Sequence, residues 1–304
     1  MSFEASSVPG QYPFKGRSFD RHGLRLHYLD EGNDPAQPPK DPLICVHGNP
    51  SWSFLYRTIA KNLSDRCRVI VPDHIGCGLS DKPGSDRYDY QLKSRVDDLE
   101  ALIDSLNLTR PLTLMVHDWG GAIGVGYAVR HPERVARLII TNTAAFRLPE
   151  GHPFPWPLYI FRNCALGACI NNHLNAFAEI TALTSTAKPL APEIHRAFVA
   201  PYDSPANRIA TTRFVQDIPL VPGDPSYDEL LKTENGLTQL AGKPMLICWG
   251  RRDFIFDRGF FKEWRRRFPK AETHSFAEAG HYLLEEVGDR VLELIKDFLK
   301  RNPL

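Results

Sequence analysis

The sequence predicts an α/β fold: a mostly parallel eight-stranded sheet flanked by helices, with an inserted, mainly helical cap. Three observations predict it. Short β-branched runs alternate with helical stretches, the pattern of strands joined by crossover helices. The alternation stops near residue 146 and resumes after residue 225, leaving a segment of prolines, aromatics and broken helical pieces. Finally, 304 residues, 42% hydrophobic and 24% charged, suffice for one large packed unit carrying an insertion. The division expected is a core over residues 1–145, a cap over 146–225 and the remainder of the core over 226–304.

The elements follow in order. Residues 17–20 and 24–29, separated by His22-Gly23, read as an antiparallel hairpin, and the proline-rich stretch 34–42 as a surface loop. Strands are expected at 43–47, 68–71, 112–117 and 135–141, with helices at 53–63, 92–106 and 122–131. Beyond the cap come a strand at 244–249, a helix at 258–268, a strand at 272–276 and a helix at 284–300. The sequence contains no internal repeat and no low-complexity tract.

Composition excludes several classes of function. The net charge is +1 with no basic block, which argues against a nucleic-acid partner. Arg265-Arg266-Arg267 reads as a solvated helix face. Six cysteines show no CxxC pair and no metal-type spacing with histidine, so no metal and no cofactor are expected. Residues 1–10 are polar and lack an apolar signal core, and no run approaches the ~20 apolar residues that cross a bilayer. A reducing, cytoplasmic setting is the expectation.

The chemistry concentrates in Val116-His117-Asp118-Trp119-Gly120-Gly121, where an apolar run ends in a tight turn and a helix of small residues. Such a strand–turn–helix is a nucleophile elbow, usually carrying serine. Here the position is aspartate, so attack on carbon would leave an ester of the protein itself. A plain helix cap at Asp118 would not need the small residues that follow. His281, after the last strand, is the candidate general base. Asp253, after the preceding strand, is the candidate to orient it; Asp257 is a rival better placed to cap the next helix. Asn49, in His47-Gly48-Asn49-Pro50, and Trp119 each offer a neutral N–H donor for a departing anion, and their backbone N–H groups a candidate oxyanion hole. Residues 72–83 read as a structural loop, since a phosphate-binding reading lacks the lysine-serine/threonine ending.

At these residues the sequence resembles the haloalkane dehalogenases of the α/β-hydrolase superfamily. The runs 47–57, 72–83 and 117–121 carry the resemblance, which covers nearly all of the core and the cap more loosely. It implies the α/β-hydrolase fold, attack by Asp118 on a halogen-bearing carbon, a halide held by Asn49 and Trp119, and ester hydrolysis driven by His281 with Asp253. One subgroup places a glutamate just after the strand before the cap. Here Thr141-Asn142-Thr143-Ala144 has no carboxylate, and Asp-His-Asp with Asn-Trp looks like the third subfamily. That subfamily also includes proteins similar to the β-lactone decarboxylases of long-chain olefin biosynthesis, which open a four-membered lactone and release a cis-alkene with carbon dioxide. Residues 213–220 look like that group too.

The leading expectation is hydrolysis of a haloalkane to an alcohol and a halide ion. β-Lactone decarboxylation is the alternative, and epoxide hydrolysis, with Tyr159 or Tyr202 as proton donor, comes third. Retention of Asp118, Asp253 and His281 disfavours a non-catalytic ligand-binding relative. Phe154, Trp156, Phe161, Phe177, Phe198, Phe214 and Leu283 are candidates to line an apolar pocket, so the partners expected are an apolar small molecule and water. The aromatic-rich cap is also a candidate surface for a homo-oligomer.

Overall fold

The computed structural model describes residues 10–304; positions 1–9 of the polar N-terminal stretch lie outside the described residues. Eight strands form one sheet in the order β1-β2-β4-β3-β5-β6-β7-β8. The hairpin β1 (Arg17–Arg21) and β2 (Leu24–Glu31) leads in, and β2 lies antiparallel to β4 (Cys67–Pro72). All other pairings are parallel: β3 (Asp41–Val46), β5 (Leu112–Asp118), β6 (Val135–Thr143), β7 (Met245–Gly250) and β8 (Glu272–Phe276).

The central strands are buried on both faces, which is why they read as continuous apolar runs. Along β3, Leu43 and Cys45 join one core while Ile44 and Val46 join the other. The first core holds α1 (Arg57–Leu63) and α12 (Gly288–Arg301), through Ile59, Leu63, Val291 and Ile295. The second holds α2 (Leu92–Ser105), α3 (Trp119–Arg130), α9 (Tyr227–Gly236) and α10 (Arg258–Arg267), through Val96, Ile123, Leu230 and Trp264. Asp257, the expected cap of α10, accepts the Gly259 N–H at 2.7 Å.

Between β6 and α9 lie five helices: α4 (Trp156–Asn163), α5 (Ala165–Leu174), α6 (Ala176–Thr184), α7 (Pro192–Val199) and α8 (Ile209–Gln216). The helix expected over 53–63 is a 3₁₀ turn, Ser53–Tyr56, followed by α1. The last helix is split into α11 (Leu283–Glu286) and α12, with Val287 at the break. Helix α9 is an addition to the expectation. Its buried face includes Glu229, Thr233 and Gly236, so the apolar periodicity that announces a helix is weak there. No helix among the described residues is long and apolar enough to cross a membrane.

The loop after β4 is a structural knot. Asp73 accepts hydrogen bonds from His27 Nδ1 at 2.8 Å, Ser53 N at 2.6 Å and Leu79 N at 2.9 Å. Burial works to raise the Asp73 carboxyl, but these donors and the neighbouring histidines hold it down at about 2.

Close packing sets the elbow. A methyl on Gly120 would overlap the carbonyl of Val46, and one on Gly48 would overlap the Asp118 carboxylate. Gly120→Ala is therefore expected to cost about 1–3 kcal/mol of stability through overpacking against rigid backbone, read as a lowered urea midpoint.

Candidate active site

Four loops at the carboxyl edge of the sheet meet at Asp118. The residue sits at the end of β5 with φ 53°, a left-handed conformation that a non-glycine residue adopts only where the surroundings enforce it. Although it occupies the N-cap of α3, its side chain makes no capping bond. It turns instead to the loop after β3, where the Asn49 N–H donates to Oδ1 at 2.6 Å. The other oxygen, Oδ2, lies 3.7 Å from His281 Nε2.

His281 follows β8 and is buried. Its Nδ1 donates to Asp253 Oδ2 at 2.7 Å, which directs Nε2 toward Asp118. Asp253 also accepts from Ile255 N at 2.7 Å and Phe256 N at 3.0 Å through Oδ1, and from Asn142 Nδ2 at 2.9 Å through Oδ2. Two contacts hold His281: His117 Nε2 donates to its carbonyl at 2.8 Å, and the Phe256 ring stacks on its imidazole at 5.8 Å. The cap clamps the same loop, because Ser185 at the end of α6 accepts the Tyr282 N–H at 2.9 Å. Glu286 gathers the N–H groups of Gly280 and Ala187.

The electrostatics follow from burial and pairing. Burial raises the Asp118 carboxyl above the usual carboxylate range, opposed by His281 and by the N–H groups of Asn49 and Trp119. Burial works against the His281 cation, yet Asp253 and then Asp118 outweigh it and raise the imidazole. Asp253, though buried, is held below the ordinary range by His281 and its backbone donors. His117 is pushed down to about 3 by burial first and then by its neighbour His281, so it stands neutral.

Asn142 is the residue that the sequence reading passed over. Besides Asp253, its Nδ2 donates to Gly250 O at 3.0 Å, and its Oδ1 accepts from Gly250 N at 2.8 Å. It therefore locks the end of β6 to β7 and aims Asp253 at once. Asn142→Ala would leave these buried groups unsatisfied. It is expected to lose about 1–3 kcal/mol of stability and roughly tenfold in turnover through a misaligned acid, measured by thermal melts and kcat together.

Asn49 and Trp119 both line the cavity above Asp118. They differ in engagement: Asn49 Nδ2 donates to the Thr211 carbonyl of α8 at 3.0 Å, while Trp119 Nε1 makes no hydrogen bond among the described residues. The cavity together with the open solvent at its mouth encloses about 1240 Å³. Its walls include Phe154, Phe161, Phe177, Leu148, Val215 and Phe256. Four other wall candidates require correction. Trp156 is 73% exposed on the outer side of α4, Phe214 is buried behind Trp119, Leu283 is buried in the sheet core, and Phe198 stacks on Tyr282 at 4.7 Å. Tyr159 is exposed, and Tyr202 donates its hydroxyl to Pro50 O at 2.8 Å. Neither tyrosine lines the cavity, so the epoxide reading has no proton donor there. Among the described residues no histidine, cysteine or carboxylate cluster is arranged to hold a metal.

What strand, turn and helix build around Asp118 is the elbow of an α/β hydrolase. Residues 41–286 match the family model of the alpha/beta hydrolase fold. The chain is 51% identical to a cis-3-alkyl-4-alkyloxetan-2-one decarboxylase of Shewanella oneidensis, over 94% of this chain and 89% of that one. It is 45% identical to a protein of the same name from Xanthomonas campestris, over 98% and 100%. Haloalkane dehalogenase 2 of Mycobacterium bovis is 30% identical, over 97% and 98%. The crystal structure of the haloalkane dehalogenase DatA from Agrobacterium tumefaciens C58 superposes with a TM-score of 0.81 at 25% identity, covering 95% of this chain and 97% of that one. The chain belongs to the α/β-hydrolase fold family, in the group that spans haloalkane dehalogenases and oxetanone decarboxylases.

Proposed function

We propose that the protein decarboxylates a cis-3,4-dialkyl oxetan-2-one, a β-lactone with two alkyl chains, to a cis-alkene and carbon dioxide. The observation that carries this reading is the 51% identity to the Shewanella decarboxylase, against 30% to the mycobacterial dehalogenase. Haloalkane hydrolysis, the leading expectation from the motifs, thus becomes the second reading, since Asp118, Asn49, Trp119 and His281 serve both chemistries. A cavity walled by apolar side chains and floored by these four residues suits a substrate that is hydrocarbon except for one ring.

The geometry supports a two-step route. Asp118 Oδ2, the oxygen not engaged by Asn49, attacks ring carbon 4. The carbon–oxygen ring bond breaks and its electrons leave on the substrate carboxylate, beside Trp119 Nε1. The bond from carbon 3 to that carboxylate then breaks, releasing carbon dioxide. Its electron pair becomes the double bond as carbon 4 parts from Asp118, which recovers its charge. Inversion at carbon 4 followed by anti elimination converts a cis-lactone into a cis-alkene. No water and no net proton is consumed, so His281 serves here to orient and balance the charge of Asp118 rather than to activate water.

That difference gives the test. Turnover of a dialkyl β-lactone in ¹⁸O-water is expected to yield the cis-alkene and leave the peptide containing Asp118 unlabelled, because the ester is broken at carbon rather than at its carbonyl. Label in Asp118 together with an alcohol product would sink the decarboxylase reading. Halide release from 1-bromobutane without any olefin from the lactone would restore the dehalogenase one.

A further inference from the structure

Phe214 lies behind the cavity wall, where its ring packs 5.4 Å from the Trp119 indole. Beyond it the guanidinium of Arg95, on α2, sits 3.5 Å from the Phe214 centroid. Arg95 is 2% exposed. It donates to the Tyr90 carbonyl at 2.6 Å, while its Nε and Nη2 meet no partner among the described residues. The acidic groups within its field are engaged elsewhere: Asp98 with Arg21 and Tyr88, and Asp217 with Ser226 and the Leu92 N–H. A buried cation with no carboxylate in contact is costly. Meanwhile Asn49 spends one of its two amide N–H bonds on Thr211, leaving the anion side of the cavity short of donors.

We propose that Arg95 is a positioning residue for the reaction: acting through Phe214, it holds the Trp119 indole toward the cavity and makes that side favourable to the departing anion. The cation and Trp119 occupy contacts on one ring, a cation–π stack continued by an aromatic pair. A charge two ring contacts away in a poorly solvated interior changes an anion's equilibrium by on the order of tenfold. The lactone arm of the test rests on the decarboxylase reading; the anion arm uses no substrate, so the two fail separately.

The experiment compares Arg95→Met and Arg95→Lys with the wild type in the full chain. Bromide is titrated against tryptophan fluorescence, with Trp119→Phe marking the signal that belongs to this site. Arg95→Met is expected to weaken bromide binding about fivefold to twentyfold and to lower kcat on the lactone similarly with KM nearly unchanged, and Arg95→Lys to recover most of both. Equal losses in Met and Lys variants, or no loss in the Met variant, would overturn the proposal. Should Arg95→Met fold poorly, Phe214→Leu keeps Arg95 and removes the relay. It is expected to reproduce the weakened bromide binding, and wild-type affinity in that variant would equally overturn the proposal.

Discussion

Asp118→Ala is expected to abolish olefin release, leaving less than about 10⁻⁴ of the wild-type rate. The reasoning is local. Oδ2 is the Asp118 oxygen not engaged by Asn49, and a desolvated, rigidly aimed carboxylate is a far better nucleophile than one in water. Nothing else at the cavity floor replaces it: His117 is turned away onto the His281 carbonyl, and Ser185 sits at the cap edge. The variant is expected to fold normally and to melt at or above the wild-type temperature, since it removes a buried charge. Gas chromatography of the olefin alongside a thermal melt separates lost chemistry from lost structure.

The second large effect is expected from His281→Ala, a fall in kcat of roughly 10²–10³. Its pH dependence is the more telling readout. Asp118 must be ionised to attack, burial raises its carboxyl, and the His281 charge is the largest influence opposing that rise. Removing the imidazole raises it further, so the acid limb of the rate profile is expected to move to higher pH. With a haloalkane, the same variant would accumulate an alkyl ester on Asp118, because ester hydrolysis needs the base. With the lactone no ester is expected to accumulate, because elimination needs none. A pH–rate profile on the lactone and peptide mass spectrometry on both substrates check each half.

Most of the fold was legible because a parallel sheet advertises itself. The central strands are apolar runs buried on both faces, and their neighbours in sequence are helices with apolar stripes. Helix α9 was not legible, because Glu229 and Gly236 lie where a pattern reader expects leucine. At the site, Asp118, Asp253 and His281 are brought together from the ends of three strands, positions that chain order makes visible. The walls were harder. Phe154 and Trp156 are near neighbours of similar chemistry, yet one lines the cavity from the segment before α4 and the other, first residue of that helix, faces solvent. Asn142 and Arg95 were invisible for another reason. An asparagine after a strand reads as a turn residue and an arginine on a helix as a surface one, and only packing reveals that both are buried.

The pairing of β6 with β7 has a consequence for how such enzymes diversify. These strands are neighbours in the sheet although the whole cap lies between them in the chain. The two strands run parallel, so the cap is an insertion of five helices into the crossover that joins them, ahead of α9, and the strand pairing itself does not depend on what the excursion contains. Asn49, Asp118, Asp253 and His281 all stay behind when it is exchanged. A chimaera carrying a relative's cap on this core would keep these four residues while inheriting foreign walls, provided the new cap again supplies the carbonyls that Thr211 and Ser185 offer to Asn49 and to the His281 loop.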